Sequence, residues 1–131
     1  MTKNEDMNPD DFVNPVTGTK GLGAIMEEAI ANSVWLVDSV EDEPECELIR
    51  WQIFEVNGNR HFMGFNYAGM EGRVSSKIIT FDEKEMRGIT RSGRVYQLVD
   101  EPGFNHDAEH VLATWLQING LTQDDIEYVQ I

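Results

Sequence analysis

Hydrophobic and polar positions change their spacing twice along the chain. From Thr19 onward apolar residues recur at intervals of three and four, which predicts a helix with the apolar face Leu22, Ile25, Met26, Ala29 and Ile30. Between residues 34 and 99 apolar residues lie in short runs rich in β-branched and aromatic side chains, which predicts strands. The helical spacing then returns, which predicts a second helix with the apolar face Ala108, Val111, Leu112, Trp115 and Ile118.

The strand region predicts a first strand over 34–40 and five further strands joined by hairpins. An acidic loop with a proline, Glu41–Glu45, separates the first strand from the others. The hairpin strands are expected at 47–56, 60–67, 73–81, 86–90 and 94–99. Asn57-Gly58 is a strong hairpin signal, because both residues tolerate positive φ.

The end of the chain contains recognisable helix boundaries. Asn105 or Asp107 can cap the second helix, and Gly120 supplies a left-handed residue that ends it. Thr122 resembles another N-cap, and the segment 122–131 is compatible with a short helix or with a strand.

Together these elements predict an α+β fold. We expect an antiparallel meander sheet of about five to six strands, with an N-terminal and a C-terminal helix packed on it. Residues 1–18 are polar and are expected to form a flexible acidic tail, so residues 19–131 would form a single domain.

Charge is distributed unevenly along the 131 residues. The formal net charge is −14. Residues 1–47 contain twelve acids against two lysines, residues 48–99 contain five acids against eight bases, and residues 100–131 contain seven acids and no Lys or Arg. Such acidic ends favour a partner with a basic surface and make direct binding of nucleic acid unfavourable, because the phosphates would be repelled.

The acidic candidates for partner binding come from the two acidic ends. They are Asp38, Glu41, Asp42, Glu43, Glu45, Glu47, Asp124, Asp125 and Glu127. A plain role in solubility and internal charge pairing accounts for the same residues.

Cysteine content and apolar run lengths bear on the compartment. Cys46 is the single cysteine, so no disulfide can form within the chain, and a reducing cytoplasm is the expected setting. No apolar run approaches the about 18 residues of a membrane span, and the N-terminus has no secretory signal pattern.

The stretch "HDAEH" resembles a zinc-binding helix motif. His106 and His110 are four residues apart, which places two imidazoles on one helix face. However, the acid after His106 is Asp107 where zinc proteases have Glu, and the remaining histidine, His61, lies on a different element. A capped helix start explains the motif better than a metal site does, so no metal, cofactor or catalytic residue is assigned.

Basic residues of the strand region suggest a second kind of site. Such a patch would bind phosphate or carboxylate groups, unless its members neutralise the acidic loop 41–47 or the C-terminal tail. Its candidates are Arg73, Lys77, Arg87, Arg91 and Arg94.

Three segments resemble a family of short, uncharacterised proteins of bacteria and their phages or mobile elements. They are "GRVSSKIITFD", "TRSGRVYQLVDEPG" and "DAEHVLATWLQINGL", and the resemblance covers about residues 60–121. The family carries no catalytic assignment. Small acidic proteins of mobile elements resemble inhibitors of host defence, including anti-CRISPR proteins.

These observations lead to one main functional expectation and two alternatives. The chain is expected to be a non-catalytic, DNA-mimicking inhibitor of a host nucleic-acid-handling complex such as a CRISPR effector. The alternatives are a small metal-dependent hydrolase using His106 and His110, and a regulatory domain that binds phosphate or a nucleotide through the basic patch.

Overall fold

The computed structural model describes Phe12–Pro15, Trp35–Leu36, residues 40–41 and residues 44–131. The expected helix from Thr19 lies outside these residues, as do Asp38, Asp42 and Glu43 and most of the expected tail. Within that tail, Phe12–Pro15 forms a strand.

The described elements begin with two short strands, β1 (Phe12–Pro15) and β2 (Trp35–Leu36). Five longer elements follow: β3 (Glu45–Val56), β4 (Asn59–Asn66), β5 (Glu71–Asp82), β6 (Arg87–Thr90) and β7 (Val95–Leu98). The chain ends with the helix α1 (His106–Ile118), a 3-10 turn (Gln123–Asp125) and β8 (Glu127–Tyr128). All five expected hairpin strands are therefore present, with boundaries within two residues of those expected.

Strands β3 to β7 close into a barrel. Each is antiparallel to the next along the chain, and β7 then pairs with β3 in parallel, from Glu45 opposite Val95 to Leu48 opposite Leu98. A ring of five alternating strands must contain one parallel pair, because the first and fifth strands run in the same direction. The expected meander sheet with two packed helices is therefore wrong: the described residues form a closed five-stranded barrel with one α-helix.

The two longest strands make closure possible by bending. β3 contains a bulge between Ile49 and Gln52, where Arg50 has a φ of 48°. Its first part pairs with β7 and its last part with β8, at Phe54 opposite Tyr128. β5 is divided in the same way between β1 and β6. Bulges bend strands and increase their twist, so each long strand can serve two neighbours along one edge.

Two hydrophobic clusters lie on opposite sides of β3. Ile53 points into the barrel, while Phe54 packs outside it against α1. The barrel cluster contains Cys46, Leu48, Trp51, Ile53, Phe62, Tyr96 and Leu98. The outer cluster joins Phe54, Val56, Met63 and Val74 to Ala108, Val111, Leu112, Trp115, Leu116 and Ile126. Trp51 and Trp115 are therefore core residues, whereas Ile118, expected on the apolar face of the helix, is exposed.

The boundaries of α1 are set by capping groups. The side-chain oxygen of Asn105 accepts a hydrogen bond from the backbone N–H of Ala108 at 3.0 Å, which confirms one of the two expected caps. Gly120 has a φ of +71° just beyond the helix end, as expected. Thr122 and Asp125 cap the 3-10 turn reciprocally, and the segment 122–131 contains both this short 3-10 helix and the strand β8.

No helix among the described residues is long and apolar enough to cross a membrane.

Candidate functional site

The three histidines do not converge. His106 and His110 are exposed on α1, whereas His61 is buried on β4. In the part of the chain that the structure describes, no group of three His, Cys, Asp or Glu side chains could hold a metal ion. The structure therefore adds no third ligand to "HDAEH".

His61 belongs to the packing between the sheet and α1. Its ring stacks on Phe54 with centroids 5.1 Å apart and meets the Trp115 ring at 5.0 Å. Its Nδ1 atom hydrogen-bonds to the Ser75 carbonyl oxygen at 3.0 Å, and because a carbonyl can only accept, Nδ1 carries the proton. Burial lowers the pKa of His61 from 6.5 to about 4, with a smaller contribution from Lys77. His61 is thus a neutral structural residue at pH 7.

The basic candidates do not form one exposed patch. Arg73 and Arg94 are almost completely buried, and Arg73 pairs with Glu71 at 2.7 Å. Arg87 pairs with Glu45 at 3.1 Å and donates to Gln97 at 2.9 Å. Lys77 and Arg91 are partly exposed. Arg87 thus neutralises Glu45, which belongs to the acidic stretch 41–47.

The first acidic group lies where β3 begins. Glu41, Glu45 and Glu47 are exposed, and we call them the β3 acidic surface. An open cleft of about 470 Å³ lies beside β3, lined by Glu45, Cys46, Glu47, Asn66, Ala68, Gly69, Arg87 and Gln97. The Cys46 side chain is buried at its base. Because Arg87 already neutralises Glu45, this surface has fewer uncompensated charges than its composition suggested.

The second acidic group lies at the other end of β3. Asp124 and Asp125 are exposed in the 3-10 turn, and Glu127 on β8 stands opposite Glu55. Ten residues separate Glu45 from Glu55, which is about 33 Å along an extended strand and somewhat less along a bent one. The acidic candidates that the structure describes therefore form two separate surfaces.

Sequence reasoning missed an exposed aromatic pair beside the second group. The rings of Phe104 and Tyr128 lie 5.5 Å apart at an interplanar angle of 88°. Burial raises the pKa of Tyr128, and the negative charge of Glu109 on α1 raises it further. We call Asp124, Asp125 and Glu127 the C-terminal acidic surface. Nothing in the sequence pairs residue 104 with residue 128, since their approach depends on β8 joining β3.

The carboxylates of residues 100–131 make no ion pair with Lys or Arg among the described residues. The ion pairs that the structure shows lie elsewhere in the chain and join Arg60 to Glu55, Arg73 to Glu71 and Arg87 to Glu45. Among these seven acids, Asp125 accepts a hydrogen bond from the backbone N–H of Thr122 and so caps the 3-10 turn.

Comparisons of the chain with protein-family models, curated proteins and solved structures gave no match. The resemblance to short phage and bacterial proteins accordingly stays a prediction.

Proposed function

We propose that this protein is a non-catalytic binding module whose C-terminal acidic surface engages a basic surface of a protein partner. The observation that carries the proposal is the absence of Lys or Arg partners for the seven C-terminal carboxylates within the described residues. Carboxylates without such partners attract a basic surface without first breaking an internal ion pair.

Charge complementarity also defines how association would proceed. Opposite charges accelerate encounter, and salt screens them over about 8–10 Å at ordinary ionic strength. Nucleic acid would be repelled by the same carboxylates. The partner is therefore a protein whose own Lys and Arg side chains normally hold phosphates.

The particular role that we propose is inhibition of a host nucleic-acid-handling complex in the cytoplasm, such as a CRISPR effector, by a protein of phage or mobile-element origin. Carboxylates on the 3-10 turn and on β8 would occupy the positions of nucleic-acid phosphates. Small size and a net charge of −14 support this role.

A pull-down from bacterial lysate at low and high salt, quantified by mass spectrometry, tests the proposal. We expect a nuclease or another nucleic-acid-binding subunit to be enriched at low salt and lost at high salt. In the variant Asp124→Lys/Glu127→Lys, reversed charge should slow association with that protein on the order of tenfold at low salt. Asp125 is left unchanged because it caps the 3-10 turn.

The matched control is Glu41→Lys/Glu47→Lys, which reverses two exposed charges on the β3 acidic surface and leaves the Glu45–Arg87 pair intact. Equal binding by the C-terminal variant and the unmodified protein would refute the proposed surface. Loss of binding in the control alone would transfer the function to the β3 acidic surface.

A further inference from the structure

Two exposed aromatic rings form a corner on the molecular surface. Phe104 is 48% exposed and Tyr128 is 37% exposed, although their rings contact each other. Because the rings are nearly perpendicular, they present differently oriented surfaces, and the face of an aromatic ring attracts cations through its negative quadrupole.

A carboxylate of α1 lies on the same side of β8 as this corner. Alternation along β8 places Tyr128 on the same side as Phe54, the side on which α1 packs. Glu109 occupies an exposed position in the first turn of α1, and its charge opposes ionisation of the Tyr128 hydroxyl. Glu127 points to the other side of β8, beside Glu55 and the Arg60 that pairs with it. The corner thus combines two rings with one carboxylate.

We propose that Phe104, Tyr128 and Glu109 together hold one cationic side chain of the basic partner, and that they accept Arg in preference to Lys. The inference rests on the proposed function and specifies the anchor within it. A guanidinium group is planar, so it stacks on an aromatic ring while donating two hydrogen bonds to a carboxylate, which an ammonium group cannot match. Exposed aromatic residues in interfaces commonly contribute a large part of the binding energy.

Binding of short peptides to the full chain tests this anchor. The probes are three peptides of equal length in which glycine alternates with Arg, with Lys or with citrulline, which keeps the shape of Arg without its charge. Affinities are measured by calorimetry at low ionic strength. The Arg peptide should bind more tightly than the Lys peptide, and the citrulline peptide should not bind.

Variants separate the rings from the general charge. Phe104→Ala and Tyr128→Ala should each weaken binding of the Arg peptide about three- to tenfold. Tyr128→Phe should bind as the unmodified protein does, because the ring remains. Glu109→Gln should reduce the preference for Arg over Lys. Tyr67→Ala, which removes a ring that is 69% exposed elsewhere, should have no effect. Thermal unfolding of each variant checks that it is folded.

The outcomes distinguish the anchor from the proposed function. If Phe104→Ala and Tyr128→Ala bind normally while Asp124→Lys/Glu127→Lys binds weakly, the anchor is refuted and the acidic surface stands. If the ring variants lose binding while the charge variant keeps it, the anchor stands and the acidic-surface mechanism fails. No binding of any peptide, or equal binding of the Arg and citrulline peptides, overturns the anchor.

Discussion

At the scale of single residues, burial changes the chemistry that residue type suggests. His61 and the two exposed histidines of α1 have the same side chain, yet His61 lies between Phe54 and Trp115 and has its pKa lowered to about 4. Arg73 and Arg94 are chemically suited to a surface site but are buried. Residue type therefore suggested which side chains could form a functional site, and solvent accessibility decided which of them remain candidates.

The lowered pKa of His61 predicts a loss of stability on acidification. Its folded-state pKa lies below its ordinary value of 6.5, so between pH 6.5 and pH 4 the unfolded chain binds a proton that the folded chain excludes. Above pH 6.5 the neutral His61 side chain makes its full contribution to the free energy of unfolding. As the pH falls from 6.5 to 4, that free energy decreases by about 3 kcal/mol. Urea unfolding at a series of pH values measures it.

The variant His61→Phe isolates this contribution. Phenylalanine can occupy the position between Phe54 and Trp115 but does not titrate. The stability of the variant should therefore decrease less than that of the unmodified protein between pH 6.5 and pH 4. His106→Gln, at an exposed position on α1, should retain the pH dependence of the unmodified protein. Parallel pH profiles for His61→Phe and the unmodified protein would contradict the assignment.

At the scale of secondary-structure elements, one close approach positions α1 on the barrel. A Cβ atom at Gly72 of β5 would lie 2.4 Å from the Asp107 carbonyl carbon and 2.5 Å from the Ala108 nitrogen. Both are backbone atoms at the start of α1, so they cannot move aside as a flexible side chain could. Glycine at this position thus allows the helix to begin directly against the strand.

Gly72→Ala should therefore destabilise the fold. We expect the free energy of unfolding to fall by about 2 kcal/mol, since an added methyl group must displace the helix backbone. Gly103→Ala is the matched control, because its nearest neighbours at the new Cβ would be 3.6–3.8 Å away, which is ordinary contact. Urea unfolding compares the two. If Gly72→Ala lost no more unfolding free energy than Gly103→Ala, the close approach at Gly72 would not be what positions α1.

At the scale of the whole molecule, the excess of negative charge acts on stability as well as on binding. Twenty-four acids face ten bases. The ion pairs Arg60–Glu55 and Arg87–Glu45 are largely exposed. Exposed pairs contribute little, whereas self-repulsion among like charges destabilises a compact state.

Added salt should accordingly raise the midpoint of thermal unfolding by several degrees from low ionic strength upward, because it screens the repulsion. Neutralising two acids in Asp124→Asn/Glu127→Gln should raise the midpoint at low salt and reduce its salt dependence, while weakening partner binding. Scanning calorimetry over a sodium chloride series measures both effects. A midpoint that is constant or falls with salt would show that self-repulsion is not significant.

Local features of the fold were predictable from the sequence alone. The Asn57-Gly58 turn has φ values of 52° and 82°, as its composition required, and α1 begins at the cap of Asn105. Each feature depends on residues that are only a few positions apart in the sequence. The charge of each segment was also predictable, because it follows directly from the residue composition.

Tertiary structure decided the closure of the barrel and the make-up of the candidate site. The parallel pairing of Glu45 with Val95 and the ring contact between Phe104 and Tyr128 join residues that are far apart in the sequence. Alternation within a strand specifies two faces but not which distant strand lies beside it, and here both faces of β3 are covered. The sequence by itself thus determined the five barrel strands, their turns, the helix α1 and the charge of each segment. Long-range packing decided which charges are neutralised, which are buried and which remain available to a partner.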